Sequence, residues 1–156
     1  MHVDLIVIEH VPTPWTAHGG YGRRSYDKKA KEKEEYRRQI KEQWRDKALI
    51  TTPIALRIIH AMPIPSSSSK IRREQMKEGR IYHLVRPDVT NLNKLAEDTL
   101  KGIVISDDSI VVEITGRKFY STRPSVHIWI TQLTKEELET HDNKNKSGRP
   151  GGRDMQ

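Results

Sequence analysis

Alternating apolar and polar positions predict four β-strands in this chain. Residues 3–11 are rich in Val and Ile, and residues 54–62, 110–115 and 126–131 alternate between two faces. A period of two is the repeat expected when one face of a strand is buried. Because only a turn around Pro124 separates the last two segments, they are predicted to form an antiparallel hairpin.

A helical repeat dominates residues 27–48, which lack Gly and Pro and are full of Lys, Glu, Arg and Gln. Tyr36, Ile40 and Trp44 recur every four residues and form one narrow apolar stripe, while the other faces are charged. A helix with one such stripe packs on a protein core along that line. Trp44 is therefore predicted to be a core residue rather than a platform for nucleic-acid bases.

Two shorter helices are also predicted. Ser68 or Ser69 caps a basic helix that Gly79 ends. The second helix, residues 91–101, is preceded by several capping candidates and followed by Gly102. Its apolar stripe consists of Leu92, Leu95, Ala96, Thr99 and Leu100.

These elements predict an α/β (α+β) fold in which a small mixed sheet of about four strands carries two main helices, residues 27–48 and 91–101. The folded domain is expected to span residues 1–133. In residues 134–156, Thr134 and Glu137 form a capping box for a short helix, and a polar, Gly-rich tail predicted to be disordered follows.

Composition favours a polyanionic partner. The formal net charge is +7, hydrophobic residues make up 34% and charged residues 31% of the chain, and the pI is about 9.7. A basic balance of this size favours nucleic acid. Because the apolar content is low, we also expect a small core, with either extended segments or a dimer interface.

Several protein classes are excluded or disfavoured. The chain has no cysteine, which excludes disulfides and thiolate metal sites. The seven histidines show no zinc-ligand spacing, and no Gly-rich phosphate loop indicates a nucleotide cofactor. His60 is interpreted as a sheet residue. Without a signal-peptide pattern or a membrane-length apolar run, the expected location is the cytoplasm.

Two basic segments are candidates for phosphate contact. The first surrounds Tyr21 and Tyr26, and the second is the helix that begins near Lys70. Cations interleaved with aromatic residues can bind phosphates and stack on exposed bases. The alternative is a solvated, charged surface. The candidate residues are Arg23, Arg24, Lys28, Lys29, Lys70, Arg72, Arg73 and, near the acidic motif, Arg86.

The densest set of residues able to do chemistry lies between Arg86 and Glu113. It contains four aspartates, Asp88, Asp98, Asp107 and Asp108, together with Lys94. Carboxylate oxygens suit Mg²⁺ or Mn²⁺, which promote phosphoryl chemistry, and a lysine can stabilise a phosphate oxygen. Loop, helix, turn and strand could gather these groups in one pocket. The alternative is that Asp88 only caps a helix and that Asp107 and Asp108 are turn residues.

This stretch resembles the RusA family of Holliday junction resolvases. The family pattern is a basic residue, Asp-x-Asp-Asn-Leu-x-Lys, a helix ending near Gly, and Asp-Asp before a strand. In this chain the pattern reads RPDVTNLNK from Arg86 to Lys94, followed by Asp98, Gly102 and Asp107-Asp108. One departure is clear, because Thr90 stands where the family has its second aspartate.

The resemblance implies a symmetric homodimer that binds four-way DNA junctions and cuts them with Mg²⁺, or with Mn²⁺, in recombination and repair. It implies Asp88 and Asp108 as metal ligands, with Asp107 and Asp98 as second choices. Asp107 and Asp108 are not expected to share an ion if they lie in a regular strand, where neighbouring side chains point oppositely. Lys94 would contact the scissile phosphate, and Asn91 would position Asp88 or a metal-bound water.

Two alternatives remain open at this point. Because Thr90 lacks the carboxylate that the family has at this position, the protein could bind branched DNA but cut it weakly or not at all. The same scaffold could also cut a different nucleic acid.

Overall fold

The structure is a computed structural model that describes residues 2–137 and 139. Along the chain the elements are β1 (His2–Ile8), β2 (Gly19–Tyr21), β3 (Arg24–Tyr26), α1 (Ala30–Trp44), β4 (Ile54–Pro63), α2 (Lys70–Lys77), α3 (Val89–Leu100), a 3₁₀ turn (Asp108–Ile110), β5 (Val111–Ser121) and β6 (Ser125–Gln132). The predicted mixed α+β architecture with a four-stranded sheet is confirmed. No helix of the described residues is long and apolar enough to cross a membrane.

The sheet has the strand order β1-β6-β4-β5. β6 is antiparallel to both β1 and β4, whereas β5 runs parallel to β4. The predicted β5–β6 hairpin is therefore wrong, because β4 lies between these two strands. The reason is burial: β4 is buried along most of its length, but β5 is exposed over most of its residues and takes the edge. Sequence proximity is a weaker constraint than burying the most apolar strand.

One face of the sheet forms the core. Ile6, Ile58 and Ile128 are fully buried there, and the stripe of α1, including Tyr36 and Trp44, packs in the same cluster. The predicted stripe of α3 is likewise buried at every position. These predictions are confirmed, and Trp44 is a core residue. On the opposite face, Val3 and Leu5 of the edge strand β1 are exposed.

Two local predictions are corrected. Gly19, Gly20 and Gly22 predict a flexible loop from the sequence, but this segment contains the β2–β3 hairpin, whose turn uses Gly22 at a φ of 62°. A glycine within the strand after Asp108 also predicts a bulge at Gly116. Gly116 instead pairs in register with Ile58, and the irregularity lies at Ile54/Ala55. A larger residue at position 116 would require the side chain of Asn93 to move, because an added Cβ would overlap its amide group. The position is a close approach between β5 and α3.

The structure covers only part of the prediction for residues 134–156. The backbone N–H of Thr134 donates to Glu137 Oε2 at 2.9 Å, one half of the predicted capping box. The predicted disordered tail lies outside the described residues.

Candidate active site

Helix α3 carries the candidate motif, and Asp88 is its N-cap residue. The Asp88 backbone is extended, as an N-cap requires, but its side chain makes no capping hydrogen bond. Asp88 is also exposed. The Asp88 carboxylate therefore does not act as a helix cap, which was its alternative interpretation, and it is available to a ligand.

The segment before Asp88 is held by Lys118 of β5. The Lys118 ammonium donates to the backbone carbonyls of Val85 and Pro87, at 2.8 and 2.9 Å. One side chain thus holds both carbonyls against the sheet, which fixes the approach to α3. Arg86, between them, is exposed.

The first turns of α3 are joined to the sheet by a buried polar contact. His60 Nε2 lies 2.9 Å from Asn93 Oδ1, and His60 is only 1% exposed. Burial lowers the pKa of His60 to about 4, although the Asn93 contact opposes this shift. A neutral ring with Nε2 protonated donates to Asn93, so His60 serves as a structural residue of the sheet, as predicted.

Lys94 lies against an aromatic ring rather than beside a carboxylate. Its Nζ is 3.6 Å from the centroid of the Trp15 ring. The backbone N–H of Trp15 donates to the Asn91 carbonyl at 2.8 Å, which joins the segment after β1 to α3. The Asn91 side chain is half-buried, and Lys94 is exposed.

A second group of charges surrounds the other end of α3. Lys101 Nζ is 3.0 Å from Asp107 Oδ2 and 3.6 Å from Asp108 Oδ1. The Asp107 carboxylate also accepts from the Ser109 backbone N–H at 3.0 Å. The Ser109 N–H, followed by Lys101, holds the pKa of Asp107 well below its usual range. Asp107 therefore acts as a turn residue, which was the alternative to its interpretation as a metal ligand.

Asp108 opens a 3₁₀ turn, and the regular strand begins only at Val111. The alternation of strand side chains therefore does not apply to Asp107 and Asp108, and both approach the same lysine.

Glu97 belongs to this acidic group and was missed in the sequence. Burial, followed by the charges of Asp108 and Asp98, raises the pKa of the Glu97 carboxyl. Thr90, Lys94, Glu97 and Lys101 follow one another at helical spacings of four, three and four, a pattern that could have revealed Glu97.

Asp98 turns toward α1 instead. Lys33 Nζ lies 3.9 Å from its carboxylate, and Arg37 donates to its backbone carbonyl at 3.3 Å. Lys33 also pairs with Asp27 at 2.7 Å. These contacts hold α1, α3 and the segment after β3 together. Asp98 therefore has a structural role as the partner of Lys33.

The predicted acidic residues are consequently divided between the two ends of α3. Asp88 lies nine positions before Glu97, which corresponds to about 14 Å along a helix. Two oxygens on one Mg²⁺ are at most about 4 Å apart. Within the part of the chain that the structure describes, no group of three or more His, Cys, Asp or Glu side chains could hold a metal ion.

A divalent cation still suits each end. Burial is the main cause of the raised pKa of Glu97, and the charges of Asp108 and Asp98 add to it, so a nearby cation would relieve part of this repulsion. At the other end, Asp88 has no capping bond to give up. Mg²⁺ commonly binds through one or two carboxylates, with water and substrate phosphate as its remaining ligands. The donor set fits such an open site, not a closed cage.

Most of the predicted DNA-contacting residues are exposed. Arg23 lies in the β2–β3 turn, and Tyr21 beside it is 89% exposed. Ser69 caps α2 by accepting from Arg72 N–H, as predicted. The remaining exposed members are Arg24, Lys28, Lys70, Arg72 and Arg86, whereas Lys29 and Arg73 are half-buried.

Comparison with known proteins identifies the family. The family model described as Endodeoxyribonuclease RusA matches residues 11–131. The chain is 32% identical over 108 residues to a Bacillus subtilis (strain 168) protein, "Uncharacterized protein YqaN", and the match covers 68% of this chain and 76% of that protein. The matched region runs from the segment after β1 to β6 and includes both ends of α3. The chain belongs to the RusA family of endodeoxyribonucleases.

Proposed function

We propose that this protein is a metal-dependent endonuclease that resolves Holliday junctions. One observation carries the proposal: Asp88, at the family's first acidic position, is the N-cap residue of α3 without a side-chain capping bond, and Lys94, six residues further along, faces the Trp15 ring and forms no ion pair among the described residues. A free carboxylate and a free cation at a helix start suit a metal-bound phosphate.

Asp88 and Asp108 would hold the divalent ion, which is Mg²⁺ or Mn²⁺. When bound, the ion activates water and neutralises charge on the scissile phosphate. Lys94 contacts a phosphate oxygen. Asn91 fixes the start of α3 through its backbone contact with Trp15 and thereby orients Asp88. Lys101 pairs with both Asp107 and Asp108 and holds their carboxylates close together.

The proposed homodimer is supported by the positions of Asp88 and Asp108, since Asp88 lies at the start of α3 and Asp108 lies beside Lys101 at its end. A two-fold axis perpendicular to α3, near its midpoint, would place Asp88 of one subunit beside Asp108 of its partner. β5 lies next to α3, forms a sheet edge and exposes Val112 and Ile114, which provides a surface for this contact. Two composite sites related by two-fold symmetry also match a symmetric junction that must be cut on two strands.

The exposed basic residues of the β2–β3 segment and of α2 would bind the arms of the junction. Each neutralised phosphate releases counterions, so affinity should fall with salt at a log-log slope of about −0.9 per contact. Replacing Arg23, Arg24, Lys28 and Lys29 with glutamine should flatten that slope, as should replacing Lys70, Arg72 and Arg73. An unchanged slope in both variants would mean that these residues are ordinary solvated surface residues and do not contact phosphates.

A second candidate function is binding of branched DNA with little or no cleavage. It is supported by Thr90, which is exposed and neutral where the family has an aspartate, and by Lys101, which already neutralises Asp107 and Asp108. Both features reduce the attraction for a cation.

A gel shift and a cleavage assay on the same four-way junction, with and without Mg²⁺, separate the two functions. Resolution that requires the metal supports the nuclease. Tight binding without cleavage in Mg²⁺ or Mn²⁺ supports the binder. Flap, duplex and RNA substrates in the same assay establish whether the activity is selective for junctions.

A further inference from the structure

We propose that Trp15 is a positioning residue for Lys94, holding the lysine ammonium ready for a phosphate without neutralising it. This inference rests on the proposed function. It adds a residue outside the acidic motif to the machinery of the site.

The contact between Trp15 and Lys94 is short compared with similar contacts in the described residues. Lys94 Nζ is 3.6 Å from the Trp15 ring centroid, whereas Lys47 is 4.6 Å from Trp44 and the Arg57 guanidinium carbon is 5.6 Å from Trp129. A cation within about 6 Å of an indole face is attracted by the electron density of the ring. The short distance indicates that the ring restrains the ammonium.

The backbone makes this arrangement rigid. Trp15 N–H donates to the carbonyl of Asn91, which is one helical turn before Lys94. The Trp15 side chain is also partly buried against the main core cluster. The ring is therefore held at a defined height on α3 by its own backbone and by the core, independently of the lysine.

A neutral partner has a different consequence from a carboxylate. Lys101 is paired with Asp107 and Asp108, so its charge is already compensated. In the described chain, no ion pair to an acidic residue occupies Lys94. An aromatic ring can limit the many rotamers of lysine while leaving its full positive charge for the substrate.

The matched variants Trp15→Leu and Trp15→Phe test the role of the ring. Both remove the indole, but only phenylalanine retains a π face. Trp15→Leu should slow single-turnover junction cleavage at saturating protein by at least about tenfold, with junction affinity and thermal unfolding close to wild type. Trp15→Phe should recover most of the rate. Equal rates for the two variants, or a loss confined to junction affinity, would overturn the proposal.

A second measurement does not depend on cleavage. Reductive methylation with ¹³C-formaldehyde labels lysine ammonium groups, and the signal absent from Lys94→Arg identifies Lys94. The Trp15 ring should move that signal upfield, and Trp15→Leu should return it to the position of an exposed lysine. A Lys94 signal at that position in the wild type would overturn the proposal. If the wild-type protein does not cut junctions, the proposed function fails, and this spectrum still decides whether Trp15 holds Lys94.

Discussion

The two ends of α3 carry similar residue types but differ in how their charges are satisfied. At the N-terminal end, Asp88 makes no capping bond and Lys94 rests on an uncharged ring. At the C-terminal end, Lys101 is paired with Asp107 and Asp108, and the pKa of Glu97 is raised by burial and by its acidic neighbours. One end has free groups and the other has a crowded, partly neutralised acidic cluster.

The difference between the two ends is the reason for the proposal that this motif, although continuous in sequence, does not form a complete site in one chain. A helix of this length keeps its first and last residues well apart, at 1.5 Å per residue. Neither end supplies a full set of ligands among the described residues. The two ends become complementary if a second copy brings the free acid of one subunit to the acidic cluster of the other.

The largest effect should come from removing one carboxylate at either end. Asp88→Asn and Asp108→Asn should each reduce cleavage by on the order of 100-fold or more, because each would remove a proposed metal ligand. Junction binding should persist or tighten, since a negative charge that repels phosphate is lost. Asp46→Asn, at an exposed aspartate just after α1, is the matched control and should cut normally. Full activity of either site variant in Mg²⁺ would refute its assignment as a ligand.

The next effect concerns the polar anchor at the N-terminal end of α3. His60 has a pKa of about 4 in the folded protein, below its ordinary value of 6.5. The unfolded chain therefore binds a proton first, so stability is retained above pH 6.5 and decreases as the pH falls toward 4. The shift corresponds to about 3 kcal/mol of unfolding free energy.

His60→Gln keeps a hydrogen-bonding side chain but cannot titrate, which makes it the control for this anchor. Urea unfolding between pH 7 and 4 should show a smaller loss of stability in His60→Gln than in the wild type. The burial-lowered pKa of His83 acts in the same direction in both proteins and cancels in the comparison. Parallel curves would show that His60 does not contribute as described.

A smaller effect is expected at the C-terminal end. Lys101→Gln removes the cation that neutralises Asp107 and Asp108, so the acidic cluster should attract a metal ion more strongly. Because the pair is exposed, the Mg²⁺ concentration for half-maximal cleavage should fall by only about threefold. An increase in that concentration would mean that Lys101 assists the reaction directly.

Thr90→Asp restores the family's acidic residue at the free end. The added charge should also lower the metal concentration needed for half-maximal cleavage, by an amount similar to or smaller than that for Lys101→Gln. The wild-type protein should need more Mg²⁺ than the variant, or should prefer Mn²⁺, which binds such sites more tightly. No gain, or a loss, would mean that other carboxylates already crowd this position.

Local patterns in the sequence were sufficient for the helices and their buried faces. The α3 stripe and the Tyr36, Ile40 and Trp44 line of α1 are buried as predicted, because a period near 3.6 directly reports which side of a helix meets the core. The order of the strands in the sheet could not be predicted from such local patterns. β5 and β6 are neighbours in sequence, yet which strand pairs with which depends on burying β4 between them.

The contacts within the candidate site could not be predicted from local sequence patterns either. The motif identified the residues at both ends of α3, but spacing alone does not show that Asp98 faces Lys33 of α1 or that Lys94 meets Trp15. These contacts join segments that are distant in sequence. Gly116 illustrates the point, because a strand glycine is compatible with a bulge or with a close approach, and only the position of Asn93 distinguishes them.

The central claim is that the two ends of α3 act together across a dimer. A heterodimer containing one Asp88→Asn subunit and one Asp108→Asn subunit, purified through two different tags, tests it directly. In a composite site, one site of the heterodimer retains both Asp88 and Asp108 while the other loses both. The account predicts that the heterodimer nicks one junction strand at about half the wild-type rate per dimer, although both parent variants are inactive. A heterodimer as inactive as its parents would contradict the account.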